Sequence, residues 1–143
     1  MEQLTPIQAR QVWQRVRGDT EENPLSRLLA LEAEIRHTYR WLQTHTMLRD
    51  SGLLIRLRED SCRFYGILAG MGSVLELELT VEAPPSVRGN PEGLLRRCFR
   101  SRMEAVALLS ALPPALKPNA ARLESQMIAH SLNQLELLGK LPK

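Results

Sequence analysis

Hydrophobic residues recur at spacings of three and four along most of the chain, the periodicity of amphipathic α-helices. In four long segments the recurring positions form a single stripe down one helix face. The stripes are Leu25, Leu28, Glu32, Ile35, Tyr39 and Leu42; Leu57, Ser61, Phe64, Leu68 and Met71; Leu95, Cys98, Arg102, Val106 and Leu109; and Ala120, Leu123, Met127, His130, Gln134 and Leu137. The pattern therefore predicts an all-α protein with four long helices.

Capping residues and prolines give the expected ends of these helices. Asn23-Pro24 and Asn90-Pro91 each place an N-cap before a proline in the first turn. Ser51 is a candidate cap for the second helix, and Gly139 closes the fourth. We predict helices over 24–43, 52–71 and 91–112, and a fourth that follows Pro118-Asn119 and ends at Leu138. Short links join helices one to two and three to four, whereas a long crossover joins two to three.

A short amphipathic helix is predicted before this set. Thr5-Pro6 provides another cap followed by proline, and apolar residues continue on one face to Val16. We place this helix over residues 5–18 and a polar linker over 19–23. The whole chain, 1–143, is predicted to be one domain, with the four long helices over 24–139.

Residues 74–82 alternate strictly between apolar and polar side chains, which predicts an extended segment with one buried face. The Leu and Glu content of this stretch also permits more helix, so both interpretations stay open. An extended segment without a second strand leaves backbone groups unpaired. Packing along the helices, or pairing with the same segment of a second copy, would satisfy them, and on this basis we predict a homodimer.

Two charged residues interrupt the apolar stripes. Glu32 lies in the middle of the first stripe, and Arg102 lies in the middle of the third. Ionised side chains are rarely buried unless they are paired or bind a metal, because the loss of hydration costs several kcal/mol. We therefore expect Glu32 and Arg102 to meet as a bidentate ion pair, with Ser61 or His130 making a further hydrogen bond.

The arrangement of stripes and links resembles that of ferritin-like four-helix bundles, and most closely the small rubrerythrin-related bacterial proteins. The resemblance covers about residues 24–139 and includes LEAEIRHTY around Glu32 and SQMIAHSLNQLELLG around His130. In ferritin-like di-iron proteins the inward positions hold Glu, Glu-x-x-His, Glu and Glu-x-x-His in chain order. The matching positions of this chain hold Glu32, Ser61, Phe64, Arg102, Met127 and His130.

Four of the six ligand types that the resemblance implies are therefore replaced, and we expect no functional metal site and no cofactor. The preferred hypothesis is a non-catalytic protein that serves as a scaffold or protein-interaction module. The alternative is a remodelled metal-binding or oxidoreductase-type protein that holds iron or manganese through Glu32 and His130. Tyr39 or Cys62 would assist in that alternative.

Composition narrows the remaining function classes. The 143 residues carry a net charge of +3, and the basic residues are spread over several helices without forming a patch for nucleic acid. Cys62 and Cys98 have no metal-finger spacing, and we expect both to be reduced and partly buried. We expect no signal peptide, no membrane span and a cytoplasmic location.

Overall fold

Four long α-helices make up most of the part of the chain that the structure describes. The structure, a computed structural model, describes residues 23–76 and 86–141. The helices are α1 (Pro24–His45), α2 (Gly52–Val74), α3 (Pro91–Leu109) and α4 (Lys117–Gly139), with short 3₁₀ turns at Met47–Asp50 and Pro114–Leu116. No strand occurs within the two described ranges. The predicted all-α class is confirmed.

The first three helices begin at the caps that the sequence predicts. The side-chain oxygens of Asn23, Ser51 and Asn90 each accept a hydrogen bond from a backbone N–H in the first turn of the helix that follows. These donors belong to Leu25, Leu54 and Gly93, at 2.8, 3.2 and 2.7 Å. α4 has no side-chain cap, and the 3₁₀ turn leads directly into it.

Several helix ends differ from the prediction. α1 and α2 continue to His45 and Val74, whereas α3 ends at Leu109, before the double proline. α4 begins at Lys117, so Pro118 lies in its first turn, where a missing N–H costs nothing.

The extended segment predicted for 74–82 is wrong at its start. Val74 is the last residue of α2, and Leu75 and Glu76 form a turn. Leu75 is only 1% exposed. Its burial against the helices favours the continuation of α2 as far as Val74, the residue before it. The rest of that segment, the predicted helix at 5–18 and most of the linker at 19–23 lie outside the described residues.

Each helix packs mainly against two neighbours. α1 packs against α2 and α3, and α4 packs against the same two helices. Ion pairs between α1 and α3 show that these helices are antiparallel, because residues later in α1 meet residues earlier in α3. The pairs are Arg27 with Glu104, Glu32 with Arg102, and Glu34 with Arg97.

The apolar core is divided into two clusters at opposite ends of the helices. The proximal cluster joins the start of α1 to the ends of α2 and α3 and the start of α4, and includes Leu28, Leu68, Leu109 and Leu123. The distal cluster joins the opposite ends and includes Ile35, Leu57, Leu95 and Leu137. α2 and α3 are therefore parallel to each other. Leu75 lies in the proximal cluster and Val87 in the distal cluster, at opposite ends of the helices.

None of the helices in the described part of the chain is long and apolar enough to cross a membrane. The cytoplasmic location stays a prediction of the sequence.

Candidate functional site

A layer of polar side chains separates the two apolar clusters. It contains four of the six positions singled out by the sequence, Glu32, Ser61, Arg102 and His130, while Phe64 and Met127 belong to the adjoining proximal cluster. The stripes place all six of those positions inward, and the structure buries every one of them. Their exposed fractions are 0% for Glu32, Ser61, Phe64, Arg102 and Met127, and 1% for His130.

The predicted ion pair between α1 and α3 lies at the centre of this layer. The two Nη atoms of Arg102 each donate to a different carboxylate oxygen of Glu32, and the Nη2–Oε2 distance is 3.0 Å. Ser61 donates from its hydroxyl to Glu32 Oε2 at 2.8 Å, which brings α2 into the same network. The bidentate pair and the Ser61 hydrogen bond are both confirmed. Both carboxylate oxygens of Glu32 are therefore engaged by this chain's own donors.

His130 does not bond to the ion pair. Its Nε2 lies 3.0 Å from the hydroxyl of Tyr39, which belongs to α1. The Phe64 ring contacts both His130 and the ion pair: its centroid lies 5.5 Å from that of the imidazole in an edge-to-face arrangement, and the Arg102 guanidinium carbon lies 5.1 Å from it. The large ring thus packs against two polar groups and adds a cation–π contact to one of them.

The imidazole of His130 is held in its neutral form. Burial, the largest cause, and the nearby positive charges of Arg102 and Arg63 together lower its pKa to about 3. Its Nδ1 has no hydrogen-bond partner and lies 3.7 Å from Oδ2 of Asp60, which is beyond hydrogen-bonding distance. Protonation of this ring would therefore place an inadequately paired charge in the interior.

Three other buried groups have shifted pKa values, and each keeps its protonated form at neutral pH. Burial raises the pKa of the Cys98 thiol to about 12. This thiol is therefore protonated at neutral pH, which makes it a weak nucleophile. Burial also raises the pKa of the Tyr39 hydroxyl well above its ordinary value. Burial lowers the pKa of Arg102 to about 9, which still leaves the guanidinium positively charged at neutral pH.

The alternative metal site of Glu32, His130, Tyr39 and Cys62 is only partly assembled. The first three lie in the polar layer, but Cys62 is exposed, so the expectation that it is partly buried is wrong. Within residues 23–76 and 86–141, no three His, Cys, Asp or Glu side chains form a group that could hold a metal ion. A metal at Glu32 would have to compete with the Arg102 guanidinium for the same carboxylate oxygens.

Sequence reasoning missed two features of this region. The first is the hydrogen bond between Tyr39 of α1 and His130 of α4. The two residues are far apart in the chain, and no motif in the sequence links them. Two further ion pairs between α1 and α3, Arg27–Glu104 and Glu34–Arg97, flank the buried pair on the surface. The sequence did hold an indication of these two pairs. Arg27 and Glu34 are seven residues apart on α1, and their partners are seven residues apart in reverse order on α3, as antiparallel packing requires.

In comparisons with known proteins, no family model, no curated protein and no solved structure matches the chain.

Proposed function

We propose that this protein is a ferritin-like four-helix bundle in which an ion pair replaces the di-metal centre, and that it works without catalysis as a scaffold or protein-interaction module. The helix arrangement supports the fold assignment. Three features are typical of ferritin-like folds: antiparallel packing of α1 with α3, short links from α1 to α2 and from α3 to α4, and a long connection between parallel α2 and α3.

The observation that carries the proposal is the bidentate pair of Arg102 with Glu32, supported by Ser61. In a ferritin-like bundle these positions would carry ligands for two cations. Here one of them carries a fixed positive charge, which repels cations and engages both oxygens of the remaining acid. Phe64 and Met127, both fully buried, provide the volume that metal ions and their ligands would otherwise occupy.

Metal analysis of the purified protein tests the proposal. After growth with iron, manganese and zinc, we expect inductively coupled plasma mass spectrometry to find far less than one metal ion per chain. Near-stoichiometric metal that is lost on His130→Ala would overturn the non-catalytic interpretation and favour the remodelled centre.

A gain-of-ligand variant tests the ferritin-like register. Ser61→Glu, Phe64→His, Arg102→Glu and Met127→Glu together create all six ligand types around Glu32 and His130, and we expect this variant to bind about two metal ions per chain. The matched control omits Arg102→Glu, and its remaining guanidinium should prevent binding. If the variant with all four substitutions is folded, as verified by circular dichroism, but binds no metal, the ferritin-like register of the six positions is contradicted.

A further inference from the structure

The outer face of α4 carries an apolar stripe that no described residue covers. Three large hydrophobic side chains lie at spacings of four and three: Ile128 is 43% exposed, Leu132 is 63% exposed and Leu135 is 44% exposed. The same spacing continues to smaller exposed residues at both ends of the helix. The α4 stripe consists of Ala121, Ser125, Ile128, Leu132, Leu135 and Gly139.

This stripe is separate from the face that packs into the core. The buried residues of α4 include Leu123, Met127, Gln134 and Leu137, which occupy the opposite side of the helix. α4 thus carries two apolar faces, of which one contacts α2 and α3 and the other faces outward. Spacings of alternating four and three residues are the repeat by which two helices pack along a common seam. An exposed apolar seam of this kind is typical of a protein–protein interface.

We propose that the α4 stripe is the interface of a homodimer, in which α4 packs antiparallel against α4 of a second copy. The stripe is complementary to itself in this orientation. With the two-fold axis level with residue 130, Ile128 faces the partner's Leu132, and each Leu135 faces the smaller Ser125 of the partner subunit. Large side chains then fill the space beside small ones, as close packing requires.

Charges on the flank of the stripe select the antiparallel orientation. Arg122 and Glu136 are both exposed and lie on the same flank, near opposite ends of α4. Antiparallel packing brings Arg122 within about two residues, or about 3 Å along the helix axis, of the level of the partner's Glu136. Symmetry creates this opposite-charge pair twice. Parallel packing would instead place Arg122 beside the partner's Lys117, a repulsive contact.

This interface is independent of the proposed ferritin-like centre, because it uses the face of α4 that points away from the ion pair. It also replaces the segment at 74–82 as the structural basis for the predicted homodimer, since the start of that segment belongs to α2. The proposed partner is a second copy of this chain, because the stripe is complementary to itself in side-chain size and charge.

Sedimentation equilibrium of the full chain over the micromolar range tests the proposal. We expect the wild type to be a dimer and Leu132→Glu to raise the dissociation constant about 100-fold, because the substitution buries two carboxylates at the centre of a symmetric seam. The matched control is Val74→Glu, which adds the same charge at a side chain that is 59% exposed on α2. This control should remain a dimer, and both variants should keep the wild-type circular dichroism spectrum.

Charge reversal tests the orientation with substitutions that leave the seam itself unchanged. Arg122→Glu should weaken the dimer about tenfold, and adding Glu136→Arg should restore it, because the opposite-charge pairs are then rebuilt in reverse.

A monomeric wild type would overturn the proposal, and so would a dimer that is disrupted by Val74→Glu but not by Leu132→Glu. A dimer that Glu136→Arg fails to restore would overturn the antiparallel orientation. A monomer that Leu132→Glu destabilises would show that the chain covers the stripe itself.

Discussion

The buried and the exposed ion pairs between α1 and α3 use the same chemistry in different surroundings. Glu32 and Arg102 are completely buried, whereas the side chains of Arg27 and Glu104 are 38% and 45% exposed. In both pairs the guanidinium contacts both carboxylate oxygens. Water solvates the outer pair if one partner is lost, but it cannot reach the inner one.

This difference shows why geometry alone does not give the contribution of an ion pair to stability. An exposed pair contributes about 0–1 kcal/mol, because solvent screens the charges and ordering two long side chains costs entropy. A buried pair contributes little more than a well-packed apolar pair would, yet removing one partner leaves a charge that the interior cannot solvate. The buried pair therefore fixes which residues can occupy the centre more than it stabilises the fold.

Removal of the buried acid should have the largest effect. We expect Glu32→Ala to lower the free energy of unfolding by about 3–5 kcal/mol, because it leaves the Arg102 guanidinium buried without its carboxylate. Urea unfolding monitored by circular dichroism measures this change. A loss below about 1 kcal/mol, the range of an exposed pair, would remove the distinction between the two regions.

Acidification should affect the buried layer next. His130 is neutral in the folded protein, with a pKa of about 3, and its ordinary pKa is 6.5. The unfolded state therefore binds more protons between these values, so the stability that neutral His130 contributes is complete above pH 6.5 and is lost as the pH falls towards 3.

Between pH 6.5 and 4.5 we expect protonation of His130 in the unfolded state to lower the free energy of unfolding by about 2–3 kcal/mol, at about 1.4 kcal/mol per pH unit. Urea unfolding at several pH values, compared between wild type and His130→Gln, isolates this contribution. If the two proteins lost stability in parallel over this range, the histidine would not be the cause.

Loss of the hydroxyl that supports Glu32 should have a moderate effect. We expect Ser61→Ala to cost about 1–2 kcal/mol, because one buried carboxylate oxygen loses a donor that water cannot replace. Ser73→Ala is the matched control: Ser73 lies on the same helix, is exposed, and its hydroxyl donates to the backbone carbonyl of Ala69 in that helix. Thermal unfolding of both variants makes the comparison, and equal losses would contradict the role assigned to Ser61.

The outer pair should give the smallest change. We expect Glu104→Gln to alter the free energy of unfolding by less than about 1 kcal/mol, and high salt should reduce the difference further through screening. Urea unfolding at low and high ionic strength tests both statements. A loss as large as that of Glu32→Ala would show that exposure does not separate the two pairs.

The sequence was sufficient to predict the helices and the inward positions, because periodicity and capping are local properties of the chain. Glu32 and Arg102 could also be paired in advance, since two opposite charges in apolar stripes have few other ways to be satisfied. The hydrogen bond of His130 with Tyr39 could not, because it depends on the relative rotation and height of α1 and α4.

The outer stripe of α4 shows a second limit of periodicity. Ile128, Leu132 and Leu135 have the same helical spacing as the core residues of α4, so spacing alone does not distinguish a face that is buried in the monomer from one that stays exposed. Packing against α2 and α3 makes that distinction, and it is a property of the whole fold.

A double-mutant cycle on the two ion pairs tests the central claim most directly. The inner cycle uses Glu32→Leu, Arg102→Met and the double variant, and the outer cycle uses Glu104→Leu, Arg27→Met and their combination. We predict that each inner single variant is destabilised by about 3–5 kcal/mol while the double variant is close to wild type, so the coupling, the sum of the two single losses, is about 6 kcal/mol or more. The outer coupling should stay below about 1 kcal/mol. Inner and outer couplings of equal size would contradict the account.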